Sequence, residues 1–427
     1  MKKDQLRNCI KALPYKEFYV LVPLFLFVML IFINHTVITS KSYYTPEADF
    51  NEFLELAQNT AKYPPGILLL VKAIQSIGIP VNHFIFKCVI LFLWFFTTYF
   101  LLRYLDGDGW FSLITLTAMI LHPYFIWTAI MSYDAAAECF FATCSFFLLL
   151  KLYEHPPEKY LNAVLLCAGL FIVLAFTAVM RATNFLIIGI LLFVLFVYGG
   201  DKAKRFFLVL CIAFMAYALV FCFYNYKRTG AFTLSTTFGY NVFIGNNKAY
   251  LHGHPKYDID IFFNKERREA LIGNQTKGLS EGQKNKYFLK ASIAEIRADI
   301  PAFIYRCIVK SFWHWFNIEK IPNFPAPDTY LSHDGTKIYI GEIKVSTSLP
   351  YVIFKIFYLP LFIAALYFMV TGKMSLKYSV FIIPYFALWP VVVIMFPDTR
   401  FKIVAESMAL IPMMRSLQYF VYKKQDV

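Results

Sequence analysis

Repeated apolar stretches of about 20 residues constrain this chain most, because each is long enough to cross the hydrocarbon core of a membrane as a helix. No water in that core can bind exposed backbone N–H and C=O groups, so helices must satisfy them internally. Hydrophobic residues make up 59% of the 427 residues and charged residues only 16%, against roughly a quarter in soluble domains. The sequence therefore excludes a soluble globular domain and predicts an all-α polytopic membrane protein.

The stretches predict about ten transmembrane helices, within a range of about 10–12. Their predicted positions are 18–36, 84–104, 110–130, 135–153, 160–178, 183–199, 206–226, 349–371, 378–396 and 402–421. The first is too long, and too far from the N-terminus, for a secretory signal, so we expect it to be retained. Three parts follow: an N-terminal transmembrane module at 1–226, an extracytoplasmic segment at 227–348 and C-terminal transmembrane helices at 349–427.

The net charge of +14 is spread among loops and forms no stripe on one soluble face, which excludes nucleic acid as a partner. Basic residues concentrate in the N-terminal tail and in alternate short loops, which the positive-inside rule assigns to the cytoplasm. They are Lys2, Lys3, Arg7, Lys11, Lys16, Arg103, Lys151, Lys159, Lys202, Lys204, Arg205, Lys373, Lys377, Lys423 and Lys424. Both termini are therefore predicted to be cytoplasmic, and the two long polar segments, about 37–83 and 227–348, extracytoplasmic.

Two short amphipathic stretches in these polar segments predict interfacial helices. Ile67–Ile79 in the first loop is apolar but too short to span. Pro301–Phe316 alternates Arg306, Lys310 and His314 with aromatic residues, which suits the headgroup level because charges at mid-bilayer are costly. We expect this second helix to border lipid without crossing the membrane, inside a long loop of mixed structure.

Glycines and amides near the start of the long loop predict turns around a short extended piece at 234–247. The amides of Asn246 and Asn247 are candidates to hydrogen-bond a sugar. His252 and His254, near Asp258 and Asp260, form a weaker candidate for a divalent-metal cluster, since no further ligand follows at a suitable spacing. We predict no metal and no other cofactor.

Two acids are the candidates for catalysis. Helical spacing places Asp49 on one face with Phe53 and Ala57. Asp134 opens the apolar run Ala135–Leu150. For both, the structural alternative is a carboxylate stabilised at a helix N-terminus. The predicted topology places both acids on the extracytoplasmic side, where two acids can meet one substrate.

Two arginines lie at the boundaries of apolar stretches and are candidates to bind lipid phosphate. Arg181 separates two stretches, and Arg400 precedes the last one. The guanidinium group matches phosphate oxygens bidentately. Ordinary snorkelling, or an ion pair between Asp398 and Arg400, is the alternative.

Four elements occur in the order found in one family. They are Asp49, Phe53, Ala57 and Pro64-Pro65; Tyr133-Asp134-Ala135-Ala136; Tyr224-Asn225-Tyr226, Gly230, Leu234–Thr237 and Ile244–Asn247; and Arg400-Phe401-Lys402. With them the chain resembles the GT-C class of integral-membrane glycosyltransferases, in the branch of protein O-mannosyltransferases and bacterial aminoarabinose transferases. It departs from many members in its lone Asp49 followed by Phe50, and in Ile403-Val404 where a proline often occurs.

The resemblance implies an inverting transfer of sugar from a polyprenyl-phosphate donor to an acceptor hydroxyl of a lipid, a glycan or a protein, outside a bacterial cytoplasmic membrane. It assigns catalysis to Asp49 and Asp134, and substrate binding to residues matching its motifs or next to them. Those binding residues are Tyr63, Asn246, Asn247, Arg400 and Lys402, and Arg181 is added for its position between two apolar stretches. A transporter or flippase of lipid-linked glycans is the alternative function. It requires ionisable residues inside the spans, which we expect to contain few.

Overall fold

The computed structural model describes residues 23–29, 51, 54–55, 65–78, 81–107, 109–122, 133–158, 160–247, 273–316, 330–331, 337–338, 348–395 and 399–422. These residues are almost entirely helical. Two strands of two residues each, β1 (Tyr330–Leu331) and β2 (Lys337–Ile338), pair antiparallel. The prediction of an all-helical chain is therefore confirmed for this part of the protein.

Fourteen helices are numbered here in chain order. They are α1 (Gly66–Ser76), α2 (His83–Asp106), α3 (Gly109–Ile120), α4 (Tyr133–Glu154), α5 (Tyr160–Met180), α6 (Thr183–Tyr198), α7 (Asp201–Thr229), α8 (Phe238–Gly245), α9 (Glu281–Ala298), α10 (Ile300–Phe316), α11 (Ser348–Val370), α12 (Leu376–Ser379), α13 (Ile383–Ile394) and α14 (Thr399–Tyr422). A 3-10 turn at Gly273–Thr276 precedes α9, and another at Val380–Ile382 joins α12 to α13.

Five segments of the described chain are long and apolar enough to cross a membrane, where the sequence predicts about ten. They are Phe84–Asp106, Ala135–Glu154, Leu161–Met180, Asp201–Thr229 and Leu376–Ile394. Shorter apolar helices occur at Gly66–Ser76, Gly109–Ile120, Thr183–Tyr198 and Ile356–Val370. Helix α14 has sufficient length, but Glu406 and Arg415 interrupt its apolar sequence.

The helix boundaries follow from local sequence. The side chain of Asn82 caps α2 by accepting a hydrogen bond from the amide of Ile85 at 2.8 Å. Gly107, with φ of 65°, ends α2 in the left-handed conformation that favours glycine. Ser280 and Gln283 form a capping box at the start of α9. These caps satisfy backbone groups that a helix end leaves without intrahelical partners.

Successive long helices pack against each other, so the helix ends gather into two sets. Helix α4 packs against α2 and α5, and α14 packs against α3, α11 and α13. At one end, which we call the Asp106 end, Arg415 Nη1 lies 2.7 Å from Asp106 Oδ1. The Tyr378 hydroxyl donates to the Leu105 carbonyl there at 2.9 Å. Helix α5 ends, and α4, α6 and α14 begin, at the opposite end, which we call the Arg181 end.

Two elements of the long polar segment differ from the sequence prediction. Residues 238–245 form α8, whereas an extended piece was expected. Helix α10 occupies the predicted position but packs along α13, so that His314 Nε2 lies 3.2 Å from the carbonyl oxygen of Tyr385. The polar face of α10 is covered by protein, since Lys310 and His314 are fully buried.

Candidate functional site

The Arg181 end contains a buried ion pair between α4 and the connection that follows α5. Glu138 Oε2 lies 3.2 Å from Arg181 Nε, and their side chains are only 6% and 14% exposed. Arg181 had been predicted from the sequence, whereas Glu138 had not. Burial makes the Coulombic attraction within this pair stronger than that of a surface pair.

Hydrogen bonds along α4 and α5 hold this pair in position. The hydroxyls of Ser145 and Thr177 lie 2.8 Å apart, two helical turns from Glu138 and one turn from Arg181. Asn184 Nδ2 donates to the Thr177 carbonyl at 2.9 Å, and the Asn184 amide donates to the Arg181 carbonyl at 2.9 Å. The turn carrying Arg181 is therefore fixed to both neighbouring helices.

Asp134 precedes Glu138 by four residues in α4, a spacing that places two positions on one face of a helix. The intervening residues Ala135, Ala136 and Ala137 are fully buried. The start of α4 is thus enclosed by protein. This i, i+4 spacing of two acids was the sequence signal that could have identified Glu138.

The first predicted loop reaches the same end through α1. A Cβ atom added to Gly66 would lie 2.8 Å from the Val179 carbonyl oxygen and 2.9 Å from Met180 Sδ. The start of α1 therefore packs against the last turn of α5, next to Arg181. Two predicted residues of this loop, Asp49 and Tyr63, lie outside the described residues.

A second buried pair joins α3 to α14. His122 Nε2 lies 3.4 Å from Glu406 Oε2, and both side chains are 0% exposed. The ring of His122 also contacts that of Tyr358 in an edge-on arrangement, with centroids 6.3 Å apart. Neither member of the pair was predicted from the sequence. Glu138 and Glu406 are two of the few ionisable residues expected within the predicted spans, and both are buried.

The predicted basic residues Arg400 and Lys402 stand in the first turn of α14, and Glu406 follows Lys402 by about one turn. The helix therefore presents these two positions at the Arg181 end. The carboxyl group proposed as an alternative partner, Asp398, lies outside the described residues.

The amides of Asn246 and Asn247 hydrogen-bond protein backbone in this structure. Asn246 Nδ2 donates to the carbonyls of Val242 at 2.8 Å and Ile394 at 2.6 Å. Asn247 Nδ2 donates to the Phe243 carbonyl at 2.8 Å. Both side chains are buried. The amide of Asn246 thus attaches the end of α8 to the end of α13, whereas that of Asn247 donates to carbonyls of α8 itself.

Lys310 of α10 completes this attachment. Its Nζ donates to the Gly245 carbonyl at 3.1 Å, to Asn246 Oδ1 at 3.2 Å and to the Met395 carbonyl at 3.0 Å. Lys310 lies outside the five apolar segments that can cross a membrane. Burial lowers its pKa to about 7, and the positive charge of Arg306 acts in the same direction.

An apolar groove runs along α6 and α13. It is lined by Leu186, Ile190, Val194, Met369, Ile383 and Phe386, among other residues. Leu186 lies in the first turn of α6, five residues after Arg181, so one end of the groove lies at the Arg181 end of α6. An apolar chain can occupy such a groove while its polar group remains near the helix ends.

No known family model matches the chain, and no curated protein is significantly similar to it. Among the residues that the structure describes, no three His, Cys, Asp or Glu side chains are grouped to hold a metal ion. The weaker metal candidates His252, His254, Asp258 and Asp260 lie outside those residues. The described residues at the Arg181 end thus provide the buried Glu138–Arg181 pair and, on α6, one end of the apolar groove.

Proposed function

We propose that this chain is an integral-membrane glycosyltransferase that moves a sugar from a polyprenyl-phosphate donor to the hydroxyl of a lipid, glycan or protein acceptor. The observation that carries the proposal is the buried Glu138–Arg181 contact of 3.2 Å. This contact places Arg181, whose guanidinium group is suited to binding phosphate, next to the face of α4 that includes position 134. The resemblance of Asp49, Asp134 and Arg400 to GT-C motifs supports the same assignment.

In the proposed reaction, Asp49 accepts the proton of the acceptor hydroxyl as a general base. The acceptor oxygen attacks the anomeric carbon with inversion, and the bond from that carbon to the phosphate oxygen breaks. The phosphate leaves with the electron pair, and arginine guanidinium groups stabilise its charge. Asp134 orients the acceptor, Tyr63 and Lys402 contact the substrates, and Asn246 and Asn247 support the site by fixing α8. The scheme requires no metal.

The apolar groove supports the lipid part of this donor. Its lining residues on α6 extend from Leu186 at the Arg181 end toward Val194, and the segment from α11 to α13 supplies the remainder. We assign the groove to the first isoprene units and the Arg181 end to the extracytoplasmic face of a bacterial cytoplasmic membrane. With about ten spans, this orientation leaves both termini in the cytoplasm, in agreement with the positive-inside rule.

The test uses purified protein in nanodiscs with a panel of polyprenyl-phosphate sugars and acceptor hydroxyls, and follows release of free polyprenyl phosphate. We expect release by the wild type and a loss of about 100-fold or more in Asp49→Asn and Asp134→Asn. The exposed Asp201, at the Asp106 end, gives the matched control Asp201→Asn, which should release normally. Equal release by all four proteins would reject both catalytic assignments, and no release by any folded protein would reject the transferase.

A second function, transport of lipid-linked glycans, is favoured by the His122–Glu406 pair, because ionisable residues buried in membrane helices often mark transport pathways. The corresponding test measures movement of a fluorescent polyprenyl-phosphate sugar across proteoliposome membranes. Movement that Glu406→Gln abolishes, without any sugar transfer, would favour the transporter. Transfer without movement would favour the enzyme.

A further inference from the structure

Three basic residues on α10 share one buried face. Arg306, Lys310 and His314 follow each other at intervals of four residues, and they are 7%, 0% and 0% exposed. The opposite face is apolar and open, with Ile304 and Ile308 exposed by 52% and 63%. The helix therefore directs its positive charge into the protein and its apolar side chains outward.

Arg306 differs from the other two members of this face in having no hydrogen-bond acceptor among the described residues. Lys310 donates to three oxygens, and His314 contacts the Tyr385 carbonyl. The enclosed Nε of Arg306 meets no partner atom in the described part of the chain. An arginine cannot lose its proton to relieve this situation. A charge held at a buried position without an anionic partner is costly, so this position favours an anionic ligand.

Two other arginines with little exposure show the usual compensation. Arg181 contacts Glu138, and Arg415 contacts Asp106. Within the described ranges, neither an acid nor a backbone carbonyl plays this part for Arg306. Because Glu138 already neutralises Arg181, Arg306 retains more charge to offer an anionic ligand.

The position of Arg306 relates it to the start of α14. Arg306 lies one turn before Lys310, whose Nζ contacts the Met395 carbonyl. Four residues beyond Met395, α14 begins at Thr399, with Arg400 and Lys402 in its first turn. The amide groups of a helix N-terminus favour anions as well. The polar face of α10 and the first turn of α14 therefore both adjoin the end of α13.

We propose that Arg306 binds the phosphate group of a lipid between the polar face of α10 and the first turn of α14. The phosphate chemistry follows from the guanidinium group, which holds phosphate oxygens bidentately. A phospholipid headgroup and a polyprenyl phosphate both supply this chemistry. We assign the site to the polyprenyl phosphate, and this assignment rests on the proposed transferase function.

The test measures binding to delipidated full-length protein in detergent, by native mass spectrometry and by the shift in unfolding temperature. The probes are a prenyl monophosphate, the corresponding prenyl alcohol and phosphatidylglycerol. The variants are Arg306→Gln, Arg306→Lys and the control Arg297→Gln, which removes an exposed arginine of α9. None of these measurements requires sugar transfer.

We expect the wild type and Arg297→Gln to bind the prenyl monophosphate but not the alcohol, with affinity reduced by about 10- to 100-fold in Arg306→Gln. Arg306→Lys should retain part of the affinity, since it keeps the charge but not the bidentate geometry. Without ligand, Arg306→Gln should unfold at the same temperature as the wild type or higher, because it removes an uncompensated buried charge. A purely structural arginine would give the opposite shift.

Other outcomes distinguish the existence of an anion site at Arg306 from its assignment to the polyprenyl phosphate. Phosphatidylglycerol binding that depends on Arg306, with none of the prenyl phosphate, would keep the anion site and overturn its assignment to the donor. Binding of prenyl phosphate without any sugar transfer would keep the site and count against the transferase. Equal affinity of wild type and Arg306→Gln for both lipids, or unfolding of the unliganded Arg306→Gln, would overturn the site itself.

Discussion

The carboxylate of Glu138 lies 3.2 Å from Nε of Arg181, and both groups are largely withdrawn from solvent. The contact joins the start of α4 to the connection between α5 and α6. Asp134 stands one turn away along α4, so the contact lies beside the position proposed to orient the acceptor.

Removal of one partner from the Glu138–Arg181 pair should deprive the other buried charge of this contact. We expect Glu138→Gln to lower the free energy of unfolding by about 3 kcal/mol, and Glu138→Gln with Arg181→Gln to recover part of that loss. Reversible unfolding in mixed micelles, followed by intrinsic fluorescence, measures both values. Strictly additive losses would show that the two side chains do not stabilise each other.

The close approach of α8 to α13 requires glycine at position 245. A Cβ atom at Gly245 would lie 1.6 Å from the Met395 carbonyl oxygen. We expect Gly245→Ala to lower stability by at least about 3 kcal/mol, because the backbone must move and Lys310 loses its acceptors.

Gly189 of α6 provides the matched control, since nothing lies within 4 Å of an added Cβ there. Gly189→Ala should raise stability by about 0.5–1 kcal/mol through helix propensity. Thermal unfolding of the two variants in the same detergent makes the comparison. Similar effects at both positions would contradict the tight contact at Met395.

The pH dependence of stability should contain a contribution from Lys310. Burial lowers its pKa from 10.5 to about 7. Between those values the unfolded chain binds a proton that the folded chain does not, so the free energy of unfolding should rise with pH across this window. The slope that Lys310 contributes is at most about 1.4 kcal/mol per pH unit. It vanishes below the pKa of the folded state, where Lys310 is protonated in both states.

Lys310→Met should remove this contribution, while Lys290→Met, at an exposed lysine of α9, should leave it unchanged. Unfolding temperatures recorded from about pH 6 to pH 10 would reveal the difference. Parallel profiles for wild type and Lys310→Met would contradict a lowered pKa.

The His122–Glu406 pair should behave asymmetrically when its members are replaced. His122→Phe leaves the fully buried Glu406 carboxyl without the imidazole, which we expect to cost about 3 kcal/mol. Glu406→Met should cost less, because a neutral imidazole tolerates burial better than a carboxylate.

The double variant His122→Phe/Glu406→Met should be more stable than the sum of the single losses predicts. A double-mutant cycle on unfolding free energies gives the coupling between the two side chains. A coupling of zero would mean that the 3.4 Å contact contributes nothing to stability.

The apolar segments determined the class of fold and most helix positions without further information. The stretches predicted at 84–104, 135–153 and 160–178 correspond to α2, α4 and α5. The reason is physical: a run of apolar residues must be helical wherever water is absent. Arg181 was also found from sequence, because a charge between two apolar stretches is conspicuous. The prediction of an extended piece at 234–247 was wrong. The local turn signals there did not reveal that α8 forms and packs on α9 and α13.

Tertiary structure alone decided which side chains meet. Glu138 and Glu406 are single acids within apolar sequence, and neither identifies Arg181 or His122, 43 and 284 residues away by their numbers, as its partner. The alternation of basic and aromatic residues along α10 predicted a helix but did not indicate what covers its polar face. Packing against α13 buries that face. Hydropathy depends on neighbours along the chain, whereas the compensation of a buried charge depends on groups brought close by folding. The sequence therefore determined the helices, and their packing determined the candidate site.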